Sequence, residues 1–297
     1  MTQIIPNLAQ ISPNYRALFC DLWGCVHDGV KPFPAAVTAL QAFRAQGGVV
    51  MLLTNAPRPK SAIIQQLDRI GVPRDCYDDI ASSGDSAQYA LLTGAVGRRV
   101  HHIGPMPKDK PFFTDVAQDL AETLSAEPPI TLVPLTEAEG IVCTGPTDEL
   151  TETPEDYRAT FLYATTKGLK LLCANPDLVV DYGDQRIYCA GALAQLYDAM
   201  GGQSLYFGKP HPPVYDLARR RLAALAADIR EDEIICVGDG IDTDILGGQQ
   251  EGLDTLFLTE GLCAGQFGPA EALDEGLLNP WLAERNRNPT YVMGHLR

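Results

Sequence analysis

FCDLWGCVHDG, residues 19–29, is the stretch on which the reading of this chain turns. An apolar run, ALFC at 17–20, stops at Asp21 and gives way to a loop holding Gly24 and Gly29. Such a run, bounded by turn-forming residues, predicts a buried strand whose carboxyl end presents an acid. The same design recurs at LLTNA (52–56), FGKPH (207–211) and VGDGIDTD (237–244), where a short hydrophobic run again ends in polar residues.

Helical patterns lie between these runs. A proline opens a segment in which Val37, Leu40 and Phe43 share a face before Gly47, and Ile63, Leu67 and Ile70 repeat the pattern before Gly71. Val214, Leu217, Ala218, Leu222 and Leu225 form a third stripe. Strands alternating with helices predict an α/β fold with a parallel sheet covered on both faces. Ligands of doubly wound sheets bind beyond the carboxyl ends of the strands, so the four polar ends are expected to serve one site.

A chain of 297 residues suits two domains, or one domain carrying a large insertion. Its net charge of -15 repels a phosphate backbone over most of the surface, so nucleic acid is not an expected partner. A small anion remains compatible where a local cation offsets the field. No apolar run reaches the ~20 residues of a membrane span. The start MTQIIPNLAQ has neither a basic region nor a signal-like apolar stretch, so no membrane association and a cytoplasmic location are expected. The eight cysteines form no CxxC pair and several fall in apolar runs, which predicts reduced core thiols.

Each polar strand end has an ordinary reading by itself. Asp21, Thr54 and Asn55 suit turns, Lys209 suits solvent, and Asp242 or Thr243 suits a helix cap. Together they supply a phosphoryl-transfer set. An aspartate attacks phosphorus. Thr54 and Asn55 bind the non-bridging oxygens, Lys209 neutralises them, and Asp21 with Asp239 holds Mg²⁺.

The order and form of these pieces resemble the haloacid dehalogenase superfamily of aspartate-nucleophile hydrolases. The likeness is to its class IIA group of nitrophenylphosphatase-like, nucleotide-phosphatase-like and sugar-phosphatase-like enzymes. Asp21 matches the nucleophile of the first motif, Thr54 and Asn55 the second, and Lys209 in FGKPHPPVY the third. Asp239 and Asp244 match the fourth, whose GDxxxTDxxxG spacing is the most specific; Asp244 stands behind the metal ligands. The resemblance implies a Rossmann-like doubly wound core, residues 1–85 and 204–297, with an inserted α/β cap at 86–203. The interval 56–208 far exceeds the ~10–12 residues of a simple crossover. Within the cap, LLCANPD resembles a TNPD element and implies substrate contacts from Asn175 and Asp177. CAGALAQLYDAMG resembles the helix start that ends the cap, with Cys189 and Ala190 where the group has proline and glycine. NPTYVMGHL resembles the closing strand and the start of a last helix. The implied activity is a Mg²⁺-dependent phosphatase that acts on a small phosphorylated metabolite through an aspartyl phosphate on Asp21, with a cap that excludes water.

Trp23 departs from the pattern. Phosphatases of the superfamily carry an aspartate two residues after the nucleophile; its carboxyl protonates the leaving group and then activates water, while its backbone carbonyl binds Mg²⁺. Trp23 keeps the carbonyl, but its indole N–H does not titrate near neutrality. A general acid-base group is worth ~10²- to 10⁴-fold in rate, so a slower or narrower enzyme is expected, one that spares aryl, enol and acyl phosphates. His27, Asp28 and His211 are the candidate surrogate acids. The alternative is a weakly active or non-catalytic sensor that binds a phosphometabolite. Carbon–halogen cleavage has no use for Mg²⁺ and so fits Asp239 and Asp244 poorly; phosphonate cleavage needs a cap lysine, for which Lys167 and Lys170 are the candidates.

Overall fold

The computed structural model describes residues 2–122, 128–182 and 185–297. In chain order its strands are β1 (Gln3–Ile4), β2 (Ala17–Cys20), β3 (Val49–Thr54), β4 (Asp79–Ser82), β5 (Arg99–Ile103), β6 (Thr131–Leu132) and β7 (Gly140–Cys143). They continue with β8 (Lys170–Cys173), β9 (Val179–Tyr182), β10 (Gln185–Tyr188), β11 (Gln203–Tyr206), β12 (Ile234–Gly238), β13 (Asp254–Leu258) and β14 (Tyr291–Met293). The chain divides into two compact units: Met1–Thr54, Gln65–Ala81 and Tyr215–Arg297 form the first, Asn55–Ile64 and Ser82–Val214 the second.

The first unit is built on a sheet of order β1-β14-β13-β12-β2-β3-β4. Every residue of β2 and β12 is buried, which is why they read as unbroken apolar runs and not as alternating ones. Parallel register aligns Val237 with Cys20 and Cys20 with Leu52. Residues just past β12, β2 and β3 therefore emerge side by side at one edge. The chain leaves β2 toward β3 on one side and builds β12, β13 and β14 on the other, so the boundary between β2 and β12 is the topological switch point.

The helix Pro34–Ala45 buries Ala36, Val37, Leu40 and Phe43, as its pattern predicts. The helix Pro212–Leu225 buries Val214, Leu217, Ala218 and Leu222, but Leu225 is 51% exposed, so the stripe stops one turn before the helix does. β14 is the last strand in the chain, as expected, but lies between β13 and β1, which forms the edge of the sheet, and the four residues after it form no helix.

The second unit holds a parallel sheet of order β11-β8-β7-β5-β6 and an antiparallel hairpin of β9 and β10. Alternation along the strands separates two cores. Ile141 and Leu171 pack with Phe161, Leu193 and Tyr197, while Val142 and Leu172 pack with Leu91, Val100 and Phe112. The stretch 204–214, grouped with the first domain in the sequence reading, carries most of β11, and β11 pairs with β8. An apolar run announces a strand without saying which sheet it joins. Among the described residues no helix is long and apolar enough to cross a membrane.

Candidate active site

In the first unit, the Asp21 N–H donates to Val237 O at 2.8 Å, which carries the ladder one residue past β2. The loop then folds back at once. Val26 and His27 N–H both donate to Leu22 O, and Gly24 N–H donates to His27 O. Gly24 has φ 75°, a left-handed conformation that favours glycine. A Cβ there would lie 2.4 Å from Asp239 Oδ2, and one on Gly261 would lie 1.8 Å from the same atom. The Asp239 carboxylate thus rests in a cradle between two glycines, where Leu262 N–H donates to Oδ2 at 2.9 Å.

Asp21 and Asp239 are 8% and 5% exposed. Asp244 is buried in the turn Ile241–Ile245 and accepts the Gly240 N–H at 3.0 Å, which fixes the loop following Asp239. Thr54 is buried at the end of β3. Carboxylate oxygens of Asp21 and Asp239 and the sulfur of Cys25 all lie within 4.8 Å of one another. Two buried hard oxygen donors at a glycine-lined cradle fit a divalent cation such as Mg²⁺, which takes one or two carboxylates and keeps water on its other positions.

Cys25 is the residue the sequence reading misses. Its Sγ lies 3.9 Å from Asp21 Oδ2 and 3.8 Å from Asp239 Oδ1. Apolar-run logic assigns it to the core with the other thiols, and all eight cysteines are indeed buried and outside any disulfide. Burial, and then the charges of Asp239 and Asp21, push its thiol pKa well up. The one available signal is the position itself, four residues past Asp21 in a loop that doubles back on the strand.

Trp23 is half-buried and packs into its own loop. Its ring meets His27 edge-on, with centroids 5.3 Å apart, and its six-membered ring fills the space beside Gly29, where a Cβ would come within 2.4 Å. The surrogate-acid expectation meets opposing physics at each residue. His27 is 2% exposed and its Nδ1 accepts the Gly29 N–H, while burial, against a weaker opposing effect of Asp28, pushes its pKa down to about 4. Asp28 accepts the Lys31 and Val30 N–H groups, which hold its carboxyl below the usual range. His211, in the second unit, stacks on Tyr206 at 4.9 Å, and burial lowers its pKa too. All three surroundings favour the form without the extra proton.

In the second unit, Asn55 is a clamp. Its Oδ1 accepts the Lys209 N–H at 2.7 Å, and its Nδ2 donates to Lys209 O at 3.0 Å and to Asp177 Oδ1 at 2.8 Å. Both amide hydrogens are engaged, so a phosphate contact from this side chain requires exchanging one of those bonds; the backbone N–H is the other donor of that residue. Asn175 accepts the Asp177 N–H at 3.0 Å and closes the Asn-Pro-Asp turn. A Cβ on Gly191 would lie 2.1 Å from Pro176 O, so Gly191 provides the close backbone approach at this helix start although Cys189 and Ala190 replace proline and glycine. Lys167 and Lys170 are exposed, Lys167 lying over the Tyr163 ring.

A haloacid dehalogenase-like hydrolase profile matches residues 18–115, which include Asp21, Thr54 and Asn55. An HAD-hydrolase-like profile matches 206–297, which include Lys209, Asp239 and Asp244. A solved haloacid dehalogenase-like hydrolase from Brucella suis 1330 is 35% identical, with a TM-score of 0.81 over 99% of this chain and 100% of that one. The chain belongs to the haloacid dehalogenase-like family. Among other family relatives, the ribonucleotide monophosphatase NagD of Escherichia coli strain K12 is 25% identical over 83% of this chain and 88% of its own. A glycerol phosphate phosphatase from Mycobacterium tuberculosis, solved in complex with magnesium, shares the haloacid dehalogenase-like fold at 24% identity and a TM-score of 0.65, covering 97% of this chain and 77% of that one.

Proposed function

We propose that this hydrolase is a Mg²⁺-dependent phosphatase that acts in the cytoplasm on a small phosphorylated metabolite through an aspartyl phosphate on Asp21. The observation that carries the reading is the meeting of two buried carboxylates, Asp21 and Asp239, at the switch point between β2 and β12. In this reading an Asp21 oxygen attacks phosphorus and the bond to the leaving oxygen breaks; water then attacks the aspartyl phosphate and frees inorganic phosphate. Thr54 Oγ1 and an Asn55 N–H bind non-bridging oxygens, and Lys209 offsets their charge. Asp21, the Trp23 carbonyl and Asp239 would hold Mg²⁺, with Asp244 shaping the loop behind them. The cation would supply charge neutralisation at the transferring phosphoryl group.

Trp23 offers no proton, so the favoured substrates are those whose leaving group departs as a stable anion: aryl, enol or acyl phosphates. The inserted segment 86–203 serves as the cap, with Asn175 and Asp177 helping to choose the substrate. The ribonucleotide monophosphatase activity in NagD's name supports the substrate class.

A phosphate-release screen over a metabolite panel, with and without Mg²⁺ and with Asp21→Asn as the blank, tests the reading. Release should require both the metal and Asp21; turnover that survives EDTA or the substitution rejects it. Packing of Trp23 into its own loop, with His27 neutral beside it, favours a second reading as a phosphometabolite sensor. A sensor would show one tight ligand and no turnover of p-nitrophenyl phosphate.

A further inference from the structure

Cys25 is not needed by the phosphatase reading, yet its sulfur is the third ligand-bearing atom in the cluster with Asp21 and Asp239. We propose that Cys25 makes this a mixed oxygen–sulfur site that captures a thiophilic divalent cation, Zn²⁺ or Cd²⁺, through Asp21, Asp239 and the Cys25 sulfur. The inference rests on the phosphatase reading only in taking the two aspartates as a cation-binding pair.

Distances decide in its favour. Zn–S and Zn–O bonds of about 2.3 and 2.0 Å at a tetrahedral angle place sulfur and oxygen about 3.5 Å apart. The Cys25 sulfur is 3.9 Å from one carboxylate and 3.8 Å from the other, so adjustments of a few tenths of an ångström bring each sulfur–oxygen separation to that value, and the three ligand atoms already lie within 4.8 Å of one another. Mg²⁺ has no use for the sulfur, because it prefers oxygen and reaches its coordination number with water. A thiolate reverses the preference, since soft ligands select zinc-like ions. Binding replaces the S–H bond with an S–metal bond and releases that proton to the buffer, so no oxidant or reductant is involved. Three protein ligands leave a fourth tetrahedral position for water or phosphate oxygen.

The thiol is well supported in this place. Gly24, one residue before it, sits against the Asp239 carboxylate, and Val26, one residue after it, is tied to Leu22 O. Cys20 offers an internal control: it too is buried, its Sγ lies 3.2 Å from the Asp21 backbone carbonyl, and the cluster of ligand-bearing atoms holds the sulfur of Cys25.

The test is a Cd²⁺ titration of the full-length protein, read by the ultraviolet sulfur-to-cadmium charge-transfer band, with Cys25→Ser and Cys20→Ser alongside. One equivalent of band is expected in the wild type and in Cys20→Ser, and none in Cys25→Ser. Zn²⁺ affinity, read by competition with a chromophoric chelator, should fall at least ~10- to 100-fold in Cys25→Ser, the loss typical of removing even an outer-shell partner. An undiminished band in Cys25→Ser, or no band in the wild type, overturns the proposal. If Cys25→Ser does not fold, X-ray absorption of the Zn²⁺-loaded wild type decides: a Zn–S shell near ~2.3 Å supports sulfur ligation, and an all-oxygen shell refutes it. These readouts are independent of turnover. A missing band beside Asp21-dependent phosphate release sinks this inference alone, and a Cys25-dependent band without any phosphate release sinks the phosphatase reading alone.

Discussion

Replacing Trp23 with aspartate sets a catalytic gain against a packing loss, and both can be sized. The indole is half-buried against Gly29 and His27. An aromatic side chain buries ~150–250 Å², so half of that at ~25 cal/mol/Å² costs about 2–3 kcal/mol. Loss of the edge-to-face pair with His27 adds about 0.5–1.5 kcal/mol. The variant should therefore melt earlier but still fold, because the backbone bonds that shape the loop run through Leu22 O and His27 O and do not involve the indole. Against that cost, a carboxyl two residues from Asp21 gains the acid-base role, worth about 10²- to 10⁴-fold. Initial rates of phosphate release from an alkyl phosphate and from p-nitrophenyl phosphate, at saturating Mg²⁺, separate the effects. The alkyl substrate should gain strongly and the aryl substrate far less, since nitrophenolate leaves without a proton. Trp23→Asn removes the indole without adding an acid. Equal gains in the Asp and Asn variants would mean that space, not a proton, limits the wild type; no gain in either would refute the missing-acid argument.

Gly261→Ala places a methyl where Asp239 Oδ2 now sits and forces the carboxylate away from the Leu262 N–H; a Mg²⁺ titration of activity should show roughly 10- to 100-fold weaker apparent affinity. Asn55→Ala removes two hydrogen bonds to the Lys209 backbone and one to the Asp177 carboxylate, worth together about 4 kcal/mol at ~1 for each neutral bond and ~2 for the charged one. A urea melt should show that loss, and an unchanged midpoint would mean the clamp contributes little. His211 has its pKa lowered by burial, so the unfolded chain takes up its proton at a higher pH than the folded one. Its contribution to stability is complete above the unfolded value and is lost as pH falls through it toward the folded value. The melting temperature should therefore drop from pH 7.5 to pH 5, and His211→Phe, which keeps the ring against Tyr206, should flatten that slope.

Much of the first unit is legible in the chain because β2, β3 and β12 are buried on both faces and so appear as unbroken apolar runs ending in polar residues. Strand identity is less legible than strand existence. The run SLYF gives the same signal whether it extends the first sheet or, as found, pairs with β8. Cys25 escapes notice because its decisive neighbour, Asp239, lies 214 positions away, and hydrophobic patterning registers burial without naming the neighbour. The clamp role of Asn55 is hidden for the same reason: its partner Lys209 is 154 positions distant, and turn chemistry explains an asparagine at a strand end equally well.

The backbone of the loop after β2 is tied largely to itself, since Leu22 O receives Val26 and His27 and Gly24 answers His27 O, yet Gly24 and Cys25 also meet Asp239 from the end of β12. Any exchange of residues 22–29 for the corresponding loop of a relative therefore has to keep a glycine beneath the Asp239 carboxylate, so the side chains of this loop can vary only inside a frame that a residue more than two hundred positions away helps to set.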